Sequence, residues 1–160
     1  MEIPEFLAYL LNNEEYHKWQ QTNPSFYLAN VLGMSENPEE WQIGFYSTEK
    51  GKMVMFRIFS GNIQNTLEQD VLKSPIPITM LHKDEIIVSL TEALQKAKDL
   101  LPEFKISQDE RYLWVVQQGE QHAVFNISFF TVNLRVAAFA IDAQSGEILK
   151  KGVEILGQLR

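Results

Sequence analysis

Cysteine is absent from this sequence of 160 residues. Without cysteine the chain can form no disulfide, no thiolate metal site and no cysteine nucleophile. The sequence also lacks a glycine-rich phosphate loop, a nucleophile elbow and the His-Glu-x-x-His pattern of zinc enzymes. Since no catalytic motif is left, we predict a protein that is not an enzyme and that uses neither a cofactor nor a metal ion.

Basic residues and long apolar runs are also scarce. Lys and Arg number 14 against 21 Asp and Glu, so the formal net charge is −7, and a negative surface repels phosphate backbones. Residues 1–5 carry two acids and no base, and the apolar stretch Phe6–Leu11 is about a third of a membrane span. We therefore expect no nucleic-acid partner, no membrane segment and no signal peptide. The expected location is cytoplasmic, unless a leader has been removed.

The residues that are present have the proportions of a globular protein, with 45% hydrophobic and 22% charged. We predict a single compact domain over residues 1–160. Apolar residues at helical spacing predict a helix from Phe6 to Leu11, which Asn12-Asn13 interrupts and Glu14–Gln21 continues.

A second short helix is predicted over Phe26–Val31, with Gly33 at its C′ position. The residues after it, Ser35–Glu40, predict an acidic loop. Period-two alternation then begins, and it places Trp41, Ile43 and Phe45 on one face of a strand.

Two strands, Trp41–Ser47 and Met53–Phe59, flank the polar turn Thr48–Gly51 and predict a hairpin. The next segment, Ile63–Leu72, is polar and predicts an edge strand or a short helix. Ser74–Pro77 predicts an extended joint within one compact unit, because each proline biases the preceding residue away from helix.

The C-terminal half has the clearest pattern. Ser89 and Glu92 have the spacing of a capping box, and apolar residues then lie on one face of a helix up to Leu101, where Pro102 closes it. Strands are predicted over Tyr112–Gln117, His122–Phe130 and Val132–Asp142, followed by a turn at Gly146 and a final strand over Glu147–Lys150.

The two halves share an order of features. Each has a helical segment, a tryptophan that opens a strand (Trp41 and Trp114), a turn that contains glycine, and a Phe-x-Ile strand at Phe56 or Phe125. Two half-repeats over residues 1–73 and 84–160 are therefore an alternative organisation of the single domain.

Part of the second half resembles the PepSY domain family. The resemblance covers residues 84–151 and depends on the helix opening Ser89–Ala97 and on the closing segment Phe139–Leu149. In that closing segment Asp142 can accept hydrogen bonds from turn amides, and Gly146 can take the positive φ of the return. The resemblance implies a cystatin-like α+β fold, in which a helix packs on a curved antiparallel sheet, and a role in regulating peptidases.

Candidate site residues are few and widely spaced. The three histidines, His17, His82 and His122, have no close spacing to one another, so we interpret them as structural. Acidic pairs at Glu14-Glu15, Glu39-Glu40 and Asp109-Glu110 are interpreted as solvated surface, and Tyr16, Trp19 and Tyr27 as packing between helices and sheet rather than a partner surface.

The leading functional prediction is a protein-binding or regulatory module with an unidentified protein partner. An exposed sheet edge or an apolar patch would favour it. One alternative is a small-ligand binder with a pocket between helix and sheet, and another is an immunity-type inhibitor with an acidic surface.

Overall fold

The computed structural model describes residues 2–71 and 77–155. It has an α+β fold in which three α-helices pack on an antiparallel sheet of nine strands. The joint predicted at Ser74–Pro77 lies almost wholly outside the described residues. Every helix within these ranges is too short or too polar to cross a bilayer.

The first two helices confirm the predicted interruption. Helix α1 (Ile3–Leu11) has Pro4 in its first turn and ends at Asn12. Helix α2 (Glu14–Thr22) begins after Asn13, whose Oδ1 accepts hydrogen bonds from the N–H groups of Glu15 at 2.8 Å and Tyr16 at 3.3 Å. The Asn13 side chain therefore satisfies two amides that a new helix leaves without partners.

The predicted second helix is wrong, because Tyr27–Met34 forms strand β1. Its residues alternate between buried and half-buried positions, and the strand pairs on both sides, with β2 (Asn37–Ser47) and with β6 (Arg111–Gln118). The predicted acidic loop is also wrong for most of its length, since β2 already begins at Asn37.

The predicted hairpin is confirmed, since Glu40–Ser47 of β2 pairs with the whole of β3 (Lys52–Phe59). Gly51 closes the turn with a φ of +63°, a conformation that costs glycine little. Of the two alternatives for the next segment, the edge strand is confirmed: β4 (Asn62–Asn65) and β5 (Gln69–Asp70) both pair with β3.

Helix α3 (Leu90–Leu100) confirms the predicted helix of the C-terminal half. The Ser89 Oγ caps it by accepting a hydrogen bond from the Glu92 N–H at 3.0 Å. Pro102 lies in a 3₁₀ turn that continues the helix by one turn, up to Lys105 with a φ of +59°.

Four strands follow α3 and confirm the predicted order. They are β6, β7 (Ala123–Phe130), β8 (Arg135–Asp142) and β9 (Ile148–Ile155). Strand β8 begins three residues later than predicted, because Thr131–Leu134 turns and Leu134 has a φ of +63°. Strand β9 extends five residues beyond the predicted end at Lys150.

The strands lie in the order β4-β3-β2-β1-β6-β7-β8-β9, with β5 beside β3. The sheet thus consists of two antiparallel meanders that share one junction, between β1 and β6. The predicted equivalence of the two tryptophans is wrong, since Trp41 lies on the second strand of its meander and Trp114 on the first. Duplication itself stays a prediction.

The core lies on one face of the sheet, under the helices. Tyr16 and Trp19 of α2 pack on the rings of Phe45 and Phe56, which confirms the packing role predicted for these two aromatics. At the junction, Gly33 stands opposite both Trp41 and Trp114, whose ring centroids lie 5.0 Å apart.

A prediction for stability follows from Gly33. A Cβ added there would lie 2.7 Å from the Trp114 ring, so we expect Gly33→Ala to lower the free energy of unfolding by about 1–3 kcal/mol. Gly152→Ala is the matched control, since a Cβ at Gly152 meets nothing within 4 Å in the single chain, and at a protein concentration where the chain is monomeric we expect it to stabilise the fold slightly. Urea denaturation of both variants tests this, and equal effects would contradict the role of Gly33.

Candidate functional site

The face of the sheet opposite the helices is open among the described residues. Cross-strand register places one row of side chains on it, from Arg57 and Gln42 through Leu32 and Val115 to Asn126. Four of the five are half-buried and Arg57 is exposed. This face therefore combines apolar side chains at the central strands with carboxamides beside them.

Residues 77–82 cross one end of this open face. The Tyr27 hydroxyl donates a hydrogen bond to the Ile78 carbonyl at 2.5 Å, and the Leu81 N–H donates to the Leu28 carbonyl at 2.8 Å. The His82 N–H donates to Gln118 Oε1 at 3.0 Å. These bonds hold the crossing segment against the ends of β1 and β6, and Tyr27 acts as an anchor for it.

A groove runs between the crossing segment and the sheet. It has two adjoining compartments with volumes of about 250 Å³ and 800 Å³, and both are lined by Pro77, Thr79, Gln117 and Gln118. We call this feature the amide groove, because five carboxamides contribute to its lining: Asn30, Gln117, Gln118, Gln121 and Asn126.

The side chain of Asn30 is an unusual member of this set. Its Oδ1 is buried and has no hydrogen-bond partner within the part of the chain that the structure describes. Gly44 lies opposite it, and a Cβ at Gly44 would overlap the Asn30 side chain. The glycine at position 44 therefore makes room for the Asn30 carboxamide, whose oxygen is buried at the cost of a missing hydrogen bond.

Two acidic residues stand at the larger compartment, Glu85 and Glu120, together with His82. Glu85 Oε2 accepts a hydrogen bond from Gln118 Nε2 at 3.2 Å. Among residues 2–71 and 77–155, no Lys or Arg lines either compartment. The amide groove consequently suits a neutral or cationic ligand rather than an anion.

One wall of the groove, the turn that carries Glu120 and Gln121, is held in place by His122 and Asp142. His122 Nδ1 donates to Asp142 Oδ2 at 2.9 Å, and Asp142 Oδ1 accepts from the N–H groups of Gln144 at 2.8 Å and Ser145 at 2.9 Å. Burial alone would raise the pKa of Asp142, but these hydrogen bonds outweigh burial and hold that pKa at about 2.

The candidate residues from the sequence do not form a second site. His17, His82 and His122 lie on α2, before Lys83 and in the turn before β7. Among the described residues no three His, Asp or Glu side chains could together hold a metal ion. Of the acidic pairs, Glu40 was mispredicted as solvated, since it is buried and forms an ion pair with Arg57.

A second cleft lies on the other face of the sheet, between α1 and the β2–β3 hairpin. It has a volume of about 480 Å³ and an aromatic and aliphatic lining from Phe6, Tyr9, Trp41 and Ile58. The Tyr9 hydroxyl closes one side by donating to the Gly61 carbonyl at 3.2 Å. We call this feature the helix cleft.

The fold has a counterpart among solved structures. The chain is similar in fold to a protein of Clostridium difficile 630 described as a "putative lipoprotein (CD1622)", with a TM-score of 0.55 and 9% sequence identity. The match covers 88% of this chain and 91% of that one. At this identity the likeness concerns the fold alone. No protein-family model matches the sequence, and no curated protein matches it with significant similarity.

A prediction follows from the hydrogen bonds of Asp142. Because its pKa of about 2 lies below the usual carboxyl value, its ionised form stabilises the fold above about pH 4 and loses that effect as the pH falls toward 2. We expect Asp142→Asn to lower the free energy of unfolding at pH 6, and to differ less from the parent protein as the pH falls.

Urea denaturation between pH 6 and pH 2.5 measures this, with the exposed Asp109→Asn as the control. A difference between Asp142→Asn and the parent that is the same at both pH values would rule out the ionised carboxylate as its source.

Proposed function

We propose that this chain is a non-enzymatic protein-binding module, and that the amide groove holds an extended segment of a partner protein. The observation that carries the proposal is the set of five carboxamides around one groove. A carboxamide has one acceptor oxygen and two donor N–H groups, which complement the C=O and N–H groups of an extended peptide. Gln118 already uses one donor and its oxygen within the chain, so Gln117, Gln121 and Asn126 are the main candidates for such contacts.

The dimensions of the groove support a peptide. The larger compartment has a volume of about 800 Å³, within the range of roughly 300–1,000 Å³ that is usual for ligand pockets. The smaller compartment continues it toward Asn30, so that the ligand can be elongated rather than round.

The charges around the groove indicate which peptide. Glu85 and Glu120 line the larger compartment, and the whole chain has a formal net charge of −7. Complementary charge speeds encounter and selects partners. We therefore propose a segment that carries Lys or Arg beside its uncharged main-chain contacts.

A connection with peptidase regulation is also proposed, and it depends on the PepSY resemblance of residues 84–151. What supports it is the arrangement of that half, in which α3 packs on β7 within an antiparallel sheet. The cystatin-like description belongs to the same proposal, whereas the cytoplasmic location stays a separate prediction from the sequence.

The peptide proposal can be tested with phage-displayed random linear peptides. We expect enrichment of sequences with Lys or Arg, and we expect Gln117→Leu to weaken an enriched synthetic peptide at least about fivefold in isothermal titration calorimetry, because it removes main-chain hydrogen bonds. Gln64→Leu is the matched control, since Gln64 is an exposed carboxamide of the distant strand β4.

Two results would overturn the proposal. One is that no linear peptide is enriched. The other is that an enriched peptide binds the Gln117→Leu and Gln64→Leu variants equally well. We also expect Glu120→Gln to lower the affinity for an enriched peptide, and to do so more at low salt than at high salt, because salt screens the charge of Glu120.

The helix cleft favours a second function, the binding of a small apolar ligand. Its volume of about 480 Å³ and its lining of Phe6, Trp41 and Ile58 resemble sites that are mainly apolar with a few polar groups. No comparable feature of the described residues favours the inhibitor with an acidic surface.

The neutral dye N-phenyl-1-naphthylamine is a suitable probe of the helix cleft. We expect its fluorescence to rise on binding, and Tyr9→Ala to lower its affinity about tenfold, because Tyr9 forms one wall. Phe59→Ala is the control, since Phe59 is a comparably exposed aromatic outside the cleft. Equal dye binding by both variants would place the dye elsewhere.

A further inference from the structure

Strand β9 leaves the longest unpaired edge of the sheet. It has eight residues, whereas β4 at the opposite end has four. It pairs with β8 on one side, and no other described strand lies along its outer side. Such an edge presents a row of free N–H and C=O groups to any strand that can approach it.

We propose that β9 pairs in antiparallel fashion with β9 of a second copy of this chain, with Gly152 opposite Gly152 at the two-fold axis. The partner is a second copy because the charges of β9 complement one another across that axis. Lys150, Gly152 and Glu154 all lie on the open face of the sheet, since they pair with Ala140, Ala138 and Val136 of β8.

The hydrogen-bond pattern limits the possible registers. Outward-pointing N–H and C=O groups belong to every second residue of a strand, and residues that stand opposite each other must be of the same kind. Two identical antiparallel strands therefore pair about an axis through a residue, and not between two residues. The regular part of β9 runs from Lys150 to Ile155, so each of these residues is a possible centre. Axes through Gly152 and Val153 pair the most residues, five on each strand.

Charge selects one of these centres. An axis through Lys150, Lys151 or Glu154 places a charge directly opposite its own copy, which is unfavourable, and an axis through Val153 brings no opposite charges together. An axis through Gly152 places Lys150 opposite Glu154 of the partner, and this pair occurs twice. Both side chains are exposed, and neither has an ion-pair partner among the described residues, whereas Lys151 already binds Glu103 at 2.8 Å.

The glycine at the centre is consistent with this register. Gly152 does not have a positive φ, and a Cβ at this position would meet nothing within 4 Å. The fold of the single chain therefore does not require glycine here, although glycine weakens a strand. Close approach of another backbone is one of the situations in which glycine is found within strands.

The proposed pairing is independent of the amide groove. The groove is lined from β1, β3, β6, β7 and residues 77–85, and β8 separates β9 from all of these strands. Failure of one proposal therefore leaves the other unaffected.

Sedimentation equilibrium of the full chain tests the proposal with charge-reversed variants. We expect the parent protein to dimerise reversibly, and Lys150→Glu and Glu154→Lys each to weaken the dimer about tenfold, because each replaces two opposite-charge pairs by two like-charge pairs. An equimolar mixture of the two variants restores both attractive pairs, and so does the double variant, Lys150→Glu with Glu154→Lys.

Lys18→Glu changes the net charge by the same amount as Lys150→Glu at an exposed position of α2, which packs on β2 and β3 at the other end of the sheet, and is expected to leave dimerisation unchanged. Circular dichroism verifies that each variant is folded. A parent protein that stays monomeric at high concentration overturns the proposal, as does a dimer that Lys150→Glu does not weaken or a variant mixture that stays monomeric.

Discussion

The junction of β1 and β6 holds this fold together, and it depends on a residue without a side chain. Gly33 lies opposite Trp41 on one side and Trp114 on the other, and the two rings meet over it with centroids 5.0 Å apart. Trp41 also contacts Phe6 of α1, at a centroid distance of 4.4 Å. This contact thus joins both meanders and the first helix, and the buried residues of the two halves form one continuous core.

The amide groove is a consequence of that junction. The first meander places β4 and β5 beside β3, away from the junction, whereas α3 and β6 start the second half. The connecting chain must therefore return past the end of β1, and residues 77–82 do so while bound to Tyr27, Leu28 and Gln118. This segment forms a wall along a partly apolar face of the sheet, so the surface there is concave. The carboxamides supply hydrogen-bond donors and acceptors to it without adding charge.

The sequence predicted most of the fold where structure depends on local signals. The capping residues Asn13 and Ser89 and the turn glycines Gly51 and Gly146 each have a local mechanism, so the helices and hairpins around them were found. Strand β1 was missed because Phe26–Val31 is apolar at spacings that fit both helix and strand, and pairing with β2 and β6 decides between them. The groove could not be predicted, since Asn30, Thr79 and Gln117 meet only through the sheet order and carboxamides have no diagnostic spacing.

In the proposed dimer, the pairing of the two β9 strands brings two amide grooves onto one sheet. Between β7, which lines the groove, and its counterpart across the proposed axis lie β8, β9 and their two copies. At the usual strand separation this places the two grooves about 24 Å apart on one continuous face. A partner with two suitable segments could then occupy both grooves of a dimer, and the second binding step would be intramolecular. Weak main-chain hydrogen bonds in each groove would thereby be sufficient for a stable complex, because the sheet edge supplies the second site.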